Sequence, residues 1–155
     1  MTTRFLRCML GALLVAPPAY TQPSHRQDAE PLRIVIETIP HSQQRYATVG
    51  DWRLRPDGLH IAVSKMSDRR YEFLIAMHEA IEAFLCQHAG VSQRAIDSFD
   101  MEYEKHRKPG DDSEPGDDPR APYHRQHMFA SKVERMLAHE LAVNWAAYNR
   151  QVTSK

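Results

Sequence analysis

The chain has little of what marks several specialised protein classes. Its 155 residues include two cysteines, Cys8 and Cys86, which is not the even, spaced set of a disulfide scaffold. Twenty basic residues balance twenty acidic ones, so the chain lacks the excess of basic residues that would indicate a nucleic-acid partner. A glycine-rich phosphate loop and a Ser/His/Asp arrangement are also lacking. With 42% hydrophobic residues, the chain has enough apolar material for one ordinary domain.

The N-terminal residues differ from the rest of the chain. Arg4 and Arg7 precede an apolar run from Cys8 to Ala16, as in a secretory signal with cleavage after Ala19. The run is far shorter than the ~20 residues of a membrane span, so no span is expected. Two expectations stay open. In the first, residues 1–19 are removed and the protein is periplasmic or secreted. In the second, the protein is cytoplasmic, and residues 1–31 are an unstructured extension or result from an upstream start codon.

Three segments after residue 31 have the composition of β-strands. Arg33 to Ile39 is β-branched, Tyr46 to Leu54 is a shorter run interrupted by glycine, and Leu59 to Ser64 alternates apolar with other residues. Pro56 and Gly58 stand where a tight turn uses them. The sequence therefore predicts a small antiparallel sheet of two or three strands.

Helical periodicity dominates the remainder of the chain. Helix one is predicted from a cap at Ser67 or Asp68 to His88, with Gly90 as the left-handed terminator. The other predicted segments are helix two from Ser92 to about Lys108, an exposed acidic loop over 109–120, helix three from Pro122 to about Asn149, and a frayed tail over 151–155. The expectation is a single α+β domain over 32–150, with a sheet followed by three helices.

Helix one carries the strongest chemical signal. Between Phe73 and Cys86 every residue is apolar except His78, Glu79 and Glu82, so the helix must be largely buried. Buried carboxylates cost several kcal/mol unless they gain a partner or a proton. His78 and Glu82 are four residues apart, a spacing at which both can reach one metal ion. A hydrogen-bonded polar network would be the alternative.

The segment Ile75 to Glu82 resembles the active-site helix of zincin-type metallohydrolases. The resemblance implies that His78 is the first metal ligand and that Glu79 is the general base. Glu82 takes the place of the second histidine, which departs from that pattern. A His/Glu pair is a harder ligand set, so zinc is the first choice of metal, and iron, manganese or magnesium are alternatives.

A broader similarity covers most of Ile34 to Tyr148. The segments Glu37 to His41, Thr48 to Trp52 and Pro115 to Tyr123 look similar to uncharacterised proteins encoded by phages and prophages. That resemblance implies a domain boundary and a genomic context, but no reaction.

Helix three is the best source of a third ligand. His127 and Glu134 fall within about 40° of one helical meridian, with Ala130 between them, so both should face the core. We expect His127 as third ligand, and Glu134 as a further ligand or as the acceptor for a ligand histidine. Other histidines are expected to be ordinary ones, and the acidic loop over 109–120 is expected to be solvated.

Three functions remain open from the sequence. The first is a metal-dependent hydrolase acting on an amide or ester bond of a small molecule or peptide, with Glu79 as base. In the second, Glu79, Glu82, Asp97 and Asp100 would hold magnesium, which is similar to the arrangement of all-α nucleotide pyrophosphatases. The third is a phage-type metal-binding protein without catalysis.

Overall fold

A three-stranded sheet precedes four α-helices in the computed structural model, which describes residues 31–108 and 110–154. The strands are β1 (Ile34–Ile39), β2 (Gly50–Arg55) and β3 (Gly58–Ser64). The helices are α1 (Arg69–His88), α2 (Gln93–His106), α3 (His124–Glu140) and α4 (Trp145–Thr153). The predicted α+β fold is confirmed. The leader expected at the N-terminus lies outside the described residues, among which no helix has the length and apolar character of a membrane span.

The sheet is mixed, which corrects the expectation of a wholly antiparallel one. Its strand order is β1-β3-β2, with β2 antiparallel and β1 parallel to β3. The hairpin between β2 and β3 turns at Pro56 and Asp57, as the sequence predicts. β3 takes the centre because Leu59, Ile61 and Val63 bury its inner face. The hairpin occupies one edge of β3, and β1 pairs with the other edge, parallel to β3.

Helix α1 lies between the sheet and α3, and it supplies much of the core. Asp68 caps its N-terminus by accepting a hydrogen bond from the amide of Arg70, and Gly90 follows its end with a positive φ of 73°. Leu74 and Cys86 are fully buried in the core. The apolar residues that bury α1 therefore also hold His78 and Glu82 away from solvent.

The predicted third helix is two helices, α3 and α4. Ala142 adopts a positive φ of 52°, which ends helical hydrogen bonding after α3. Asn144 then caps α4 by accepting a hydrogen bond from the amide of Ala147. The break turns α4 so that the ring of Tyr148 lies 5.1 Å from that of Tyr71 on α1. Residues 151–153, expected as part of a frayed tail, belong to α4.

Candidate metal centre

Three side-chain atoms from α1 and α3 converge on one point. His78 Nε2 lies 3.2 Å from His127 Nδ1, and His127 Nδ1 lies 3.0 Å from Glu82 Oε2. The third edge, between His78 Nε2 and Glu82 Oε2, is 3.5 Å. Tetrahedral coordination with bonds of ~2.0–2.1 Å places ligand atoms about 3.3 Å apart. The triangle therefore has the dimensions of three ligands around one small cation.

Close packing of α1 against α3 brings these atoms together. His78 and Glu82 lie one turn apart on α1, and His127 faces them from α3. Ala130, which lies between His127 and Glu134 on α3, is fully buried. Its small side chain allows α1 to approach α3 closely, as the sequence predicts.

The outer nitrogen of each histidine faces a carboxylate. His78 Nδ1 donates to Glu134 Oε2 at 2.9 Å, and the hydroxyl of Tyr148 donates to the other oxygen of Glu134. His127 Nε2 lies 3.4 Å from Glu114 Oε2 and 3.5 Å from Asp117 Oδ1. Such contacts fix the orientation of an imidazole and raise its basicity when it binds a metal.

Glu114 also belongs to the set of groups near the two histidines. His78, His127 and Glu114 each offer one ligand atom, and these atoms lie within 4.8 Å of one another. This group could therefore hold a metal ion. Glu114 is in the acidic segment, and its side chain is 45% exposed.

Glu82 is held in its ionised form by hydrogen bonds. Burial raises the pKa of Glu82, but hydrogen bonds with His127 and His78 outweigh burial and lower the pKa to about 2. The indole of Trp52 donates to the second carboxylate oxygen of Glu82 at 3.2 Å. For His127, burial lowers the pKa, but hydrogen bonds with Asp117 and Glu82 raise it to about 9. Within this cluster Glu82 and His127 therefore form a hydrogen-bonded ion pair.

Glu79 lies outside the triangle, and its carboxyl group has different surroundings from that of Glu82. Its carboxylate rests against β2, where a Cβ on Gly50 would be 2.3 Å from Glu79 Oε1. Among the described residues Glu79 has no hydrogen-bond or ion-pair partner. Burial and the nearby charge of Glu82 raise the pKa of Glu79 well above its usual value. Glu79 is therefore an unpaired carboxyl group suited to exchanging a proton.

A cavity of about 300 Å³ opens in front of the cluster. Strand β2, α1, α2 and residues 111–116 border it, and its described lining includes nine acidic side chains and one arginine, Arg107. Asp97 and Asp100 on α2 are among the acids. Asp97 accepts from Arg45 at 3.4 Å, and Asp100 accepts from the hydroxyl of Tyr123 at 2.6 Å. Burial raises the pKa of Asp100 to about 7.

The comparisons with known proteins assign no family. No protein-family model matches the chain, and no curated protein or solved structure is significantly similar to it. Its chemistry must therefore be inferred from the site itself.

The structure brings together the four side chains expected as ligands, His78, Glu82, His127 and Glu134, and it places the expected base at the same cavity. The four histidines expected to be ordinary ones, all within the described residues, are not part of this cluster. His60 pairs with Asp57, His124 contacts the carbonyl of Gly116, and His88 and His139 are exposed.

Sequence reasoning missed several neighbours of the cluster. Glu114 lies in a segment expected to be solvated, and nothing in its local pattern distinguishes it from the acids around it. Trp52 carries no signal that points to Glu82. Tyr148 does carry one, because it is fourteen residues after Glu134 and would share its face on a continuous helix.

Proposed function

We propose that the protein is a metal-dependent hydrolase that cleaves an amide or ester bond in a small molecule or peptide. His78, Glu82 and His127 are its metal ligands, and Glu79 is its general base. One observation carries the proposal: a triangle of ligand-type atoms with edges of 3.0–3.5 Å shares a cavity with an unpaired carboxyl group. Zinc suits this ligand set first, with iron, manganese or magnesium as alternatives.

Glu134 acts in this proposal as the partner of a ligand rather than as a ligand. It contacts Nδ1 of His78, whereas Nε2 of the same ring faces the triangle. Glu134 therefore approaches His78 from the side away from the proposed ion, where it fixes the ring and increases its basicity.

Glu114 bears the same relation to His127, because it faces the Nε2 atom. We assign Glu82 as the carboxylate ligand because Glu82 Oε2 completes the triangle and Trp52 holds its other oxygen. Glu82→Gln should therefore weaken metal binding more than Glu114→Gln.

The chemistry divides between the cation and Glu79. A bound divalent cation polarises a carbonyl group and lowers the pKa of water. Glu79 accepts a proton from the attacking water and returns it to the leaving group. Burial raises the pKa of Glu79, which makes its ionised carboxylate a stronger proton acceptor than a free one.

The first experiment measures metal content. The full chain is purified, dialysed gently and analysed by emission spectroscopy, and its thermal unfolding is followed with and without chelator. We expect stoichiometric metal and a lower melting temperature in chelator. His78→Ala should abolish both. His139→Ala, an exposed histidine on α3, is the matched control and should change neither.

The second experiment separates metal binding from catalysis. Glu79→Gln should retain the metal but reduce hydrolysis of an ester or peptide probe by about 10²–10⁴-fold. If the metal is absent and chelator leaves stability unchanged, the proposal fails at its first step. If the metal binds but no ester or peptide is cleaved, the protein is a non-catalytic metal-binding protein.

The nucleotide pyrophosphatase is the second candidate, because Asp97 and Asp100 lie on the same cavity as Glu79 and Glu82. Arg45 and Tyr123 already engage these two aspartates, which weakens them as magnesium ligands. If the protein releases pyrophosphate from nucleotides with magnesium, and Asp97→Ala and Asp100→Ala abolish that release, this second function replaces the first.

A further inference from the structure

Among the described residues, the backbone groups on the outer edge of β1 have no hydrogen-bond partner. β1 has a single neighbour, β3, in the described sheet. The carbonyls of Arg33 and Ile39 accept hydrogen bonds from the β3 side of the sheet. Along a strand, the amide and carbonyl groups of successive residues point alternately to the two edges. In β1 those of the odd-numbered residues therefore point toward β3, and those of Ile34, Ile36 and Thr38 point outward.

The same edge exposes apolar side chains. Ile34 and Ile36 pair with Leu59 and Ile61, whose side chains are buried on the helix-covered face. The two isoleucines are nevertheless 40% and 45% exposed. An exposed apolar edge strand is a ready template for pairing with another strand.

The sequence of β1 is complementary to its own reverse. Residues 33–37 read Arg-Ile-Val-Ile-Glu, with opposite charges at the ends and isoleucines on either side of Val35. We propose that two copies of this chain associate through β1, antiparallel and with a two-fold axis at Val35. The two three-stranded sheets then form one continuous sheet.

This register satisfies backbone and side chains together. Ile34 of each copy stands opposite Ile36 of the other, and both have outward-facing backbone groups, so they form hydrogen-bonded pairs. Arg33 stands opposite Glu37 of the second copy, twice by symmetry, and opposite charges across strands are stabilising. An axis at Ile36 would instead set Glu37 against Val35 and lose both charge pairs.

Charge complementarity identifies a second copy as the occupant of this edge. The other occupant available within the chain is its own N-terminal region, residues 1–30. Covering by that region would leave the protein monomeric, which an experiment on the full chain distinguishes.

The first test is charge exchange, measured by sedimentation velocity over a wide concentration range. The full chain should dimerise reversibly. Arg33→Glu and Glu37→Arg each turn two attractions into repulsions, so each should raise the dimer dissociation constant about tenfold or more. The double exchange should restore the original constant. Asp57→Asn, which removes the 3.5 Å ion pair of Arg33 within its own chain, is the control and should leave dimerisation unchanged.

The second test fixes the register by cross-linking in a Cys8→Ser background. Val35→Cys should form an intermolecular disulfide under mild oxidation, because the two-fold axis brings this residue against itself. Thr38→Cys should not, since its two copies lie far apart along the paired strands. A monomer at every concentration, charge variants that dimerise like the parent, or equal cross-linking at both positions would overturn the proposal.

Discussion

Gly50→Ala should impair the proposed base, Glu79, and leave metal binding unchanged. The new Cβ would lie 2.3 Å from Glu79 Oε1, where ordinary contacts begin at 3.4 Å, so the carboxylate must retreat by the difference, 1.1 Å. Misplacing a catalytic group by ~1 Å can reduce the rate about 10²-fold. The Glu79 carboxylate is at the end of a flexible side chain and can move aside. Ile75 Cγ2, however, would lie only 2.7 Å from the new methyl group and also obstructs it. We therefore expect about 1–3 kcal/mol of destabilisation from overpacking.

Gly116→Ala is the matched perturbation of a ligand. Its Cβ would lie 2.3 Å from Cγ and 2.6 Å from Nδ1 of His127, a buried ring that α3 holds in place. A shift of about 1 Å greatly exceeds the ~0.2 Å tolerance of metal–ligand distances. Metal affinity should therefore fall by at least about tenfold, a loss typical of disturbed ligand positioning.

The assay measures metal affinity and catalytic rate for Gly50→Ala and for Gly116→Ala. Competition with a chromophoric chelator gives metal affinity, and turnover of an ester or peptide probe at saturating metal gives the rate. Gly50→Ala should lose rate at unchanged affinity, and Gly116→Ala should lose affinity. Loss of affinity in Gly50→Ala, or unchanged affinity in Gly116→Ala, would refute the assignment of these two neighbours to a base and a ligand.

Further predictions concern the groups around the ligands. Tyr148→Phe removes the hydroxyl that donates to Glu134, so metal affinity should fall, by less than in Glu134→Gln, when both are measured by the same competition assay. The pKa of His127, about 9, and that of Asp100, about 7, both exceed their usual values. Protonation at these sites therefore stabilises the metal-free fold, and urea unfolding in chelator should show lower stability at about pH 9 than at about pH 6. Added metal should offset this loss, because its ligands must be deprotonated.

Much of the site could be predicted because local helical geometry determines it. The spacing of His78 and Glu82 places both side chains on one face of α1. The spacing of His127 and Glu134 likewise places both on one face of α3. The apolar residues around these pairs then require both faces to be buried. The sequence thus predicts which side chains meet across α1 and α3.

The parts that could not be predicted depend on tertiary arrangement. The parallel pairing of β1 with β3 depends on how the connection between β1 and β2 crosses the sheet, which no single segment encodes. Ala142 adopts a left-handed conformation although alanine usually favours helix, so the division of the third helix has little local signal. Glu114 reaches His127 only because the short helical turn at Pro115–Asp117 folds back against α3.

The same cluster should link stability to metal binding. Glu79 and Asp100 have raised pKa values because burial and neighbouring carboxylates disfavour their charged forms. Without a bound cation, protonated His127 supplies part of the compensating positive charge, and that proton is lost as the pH rises through about 9. A divalent cation supplies that charge without a proton, so it should stabilise the fold most at the pH where the protonated network is weakest. A larger chelator effect on unfolding at about pH 9 than at about pH 6 would therefore distinguish a true metal centre from a hydrogen-bonded network alone.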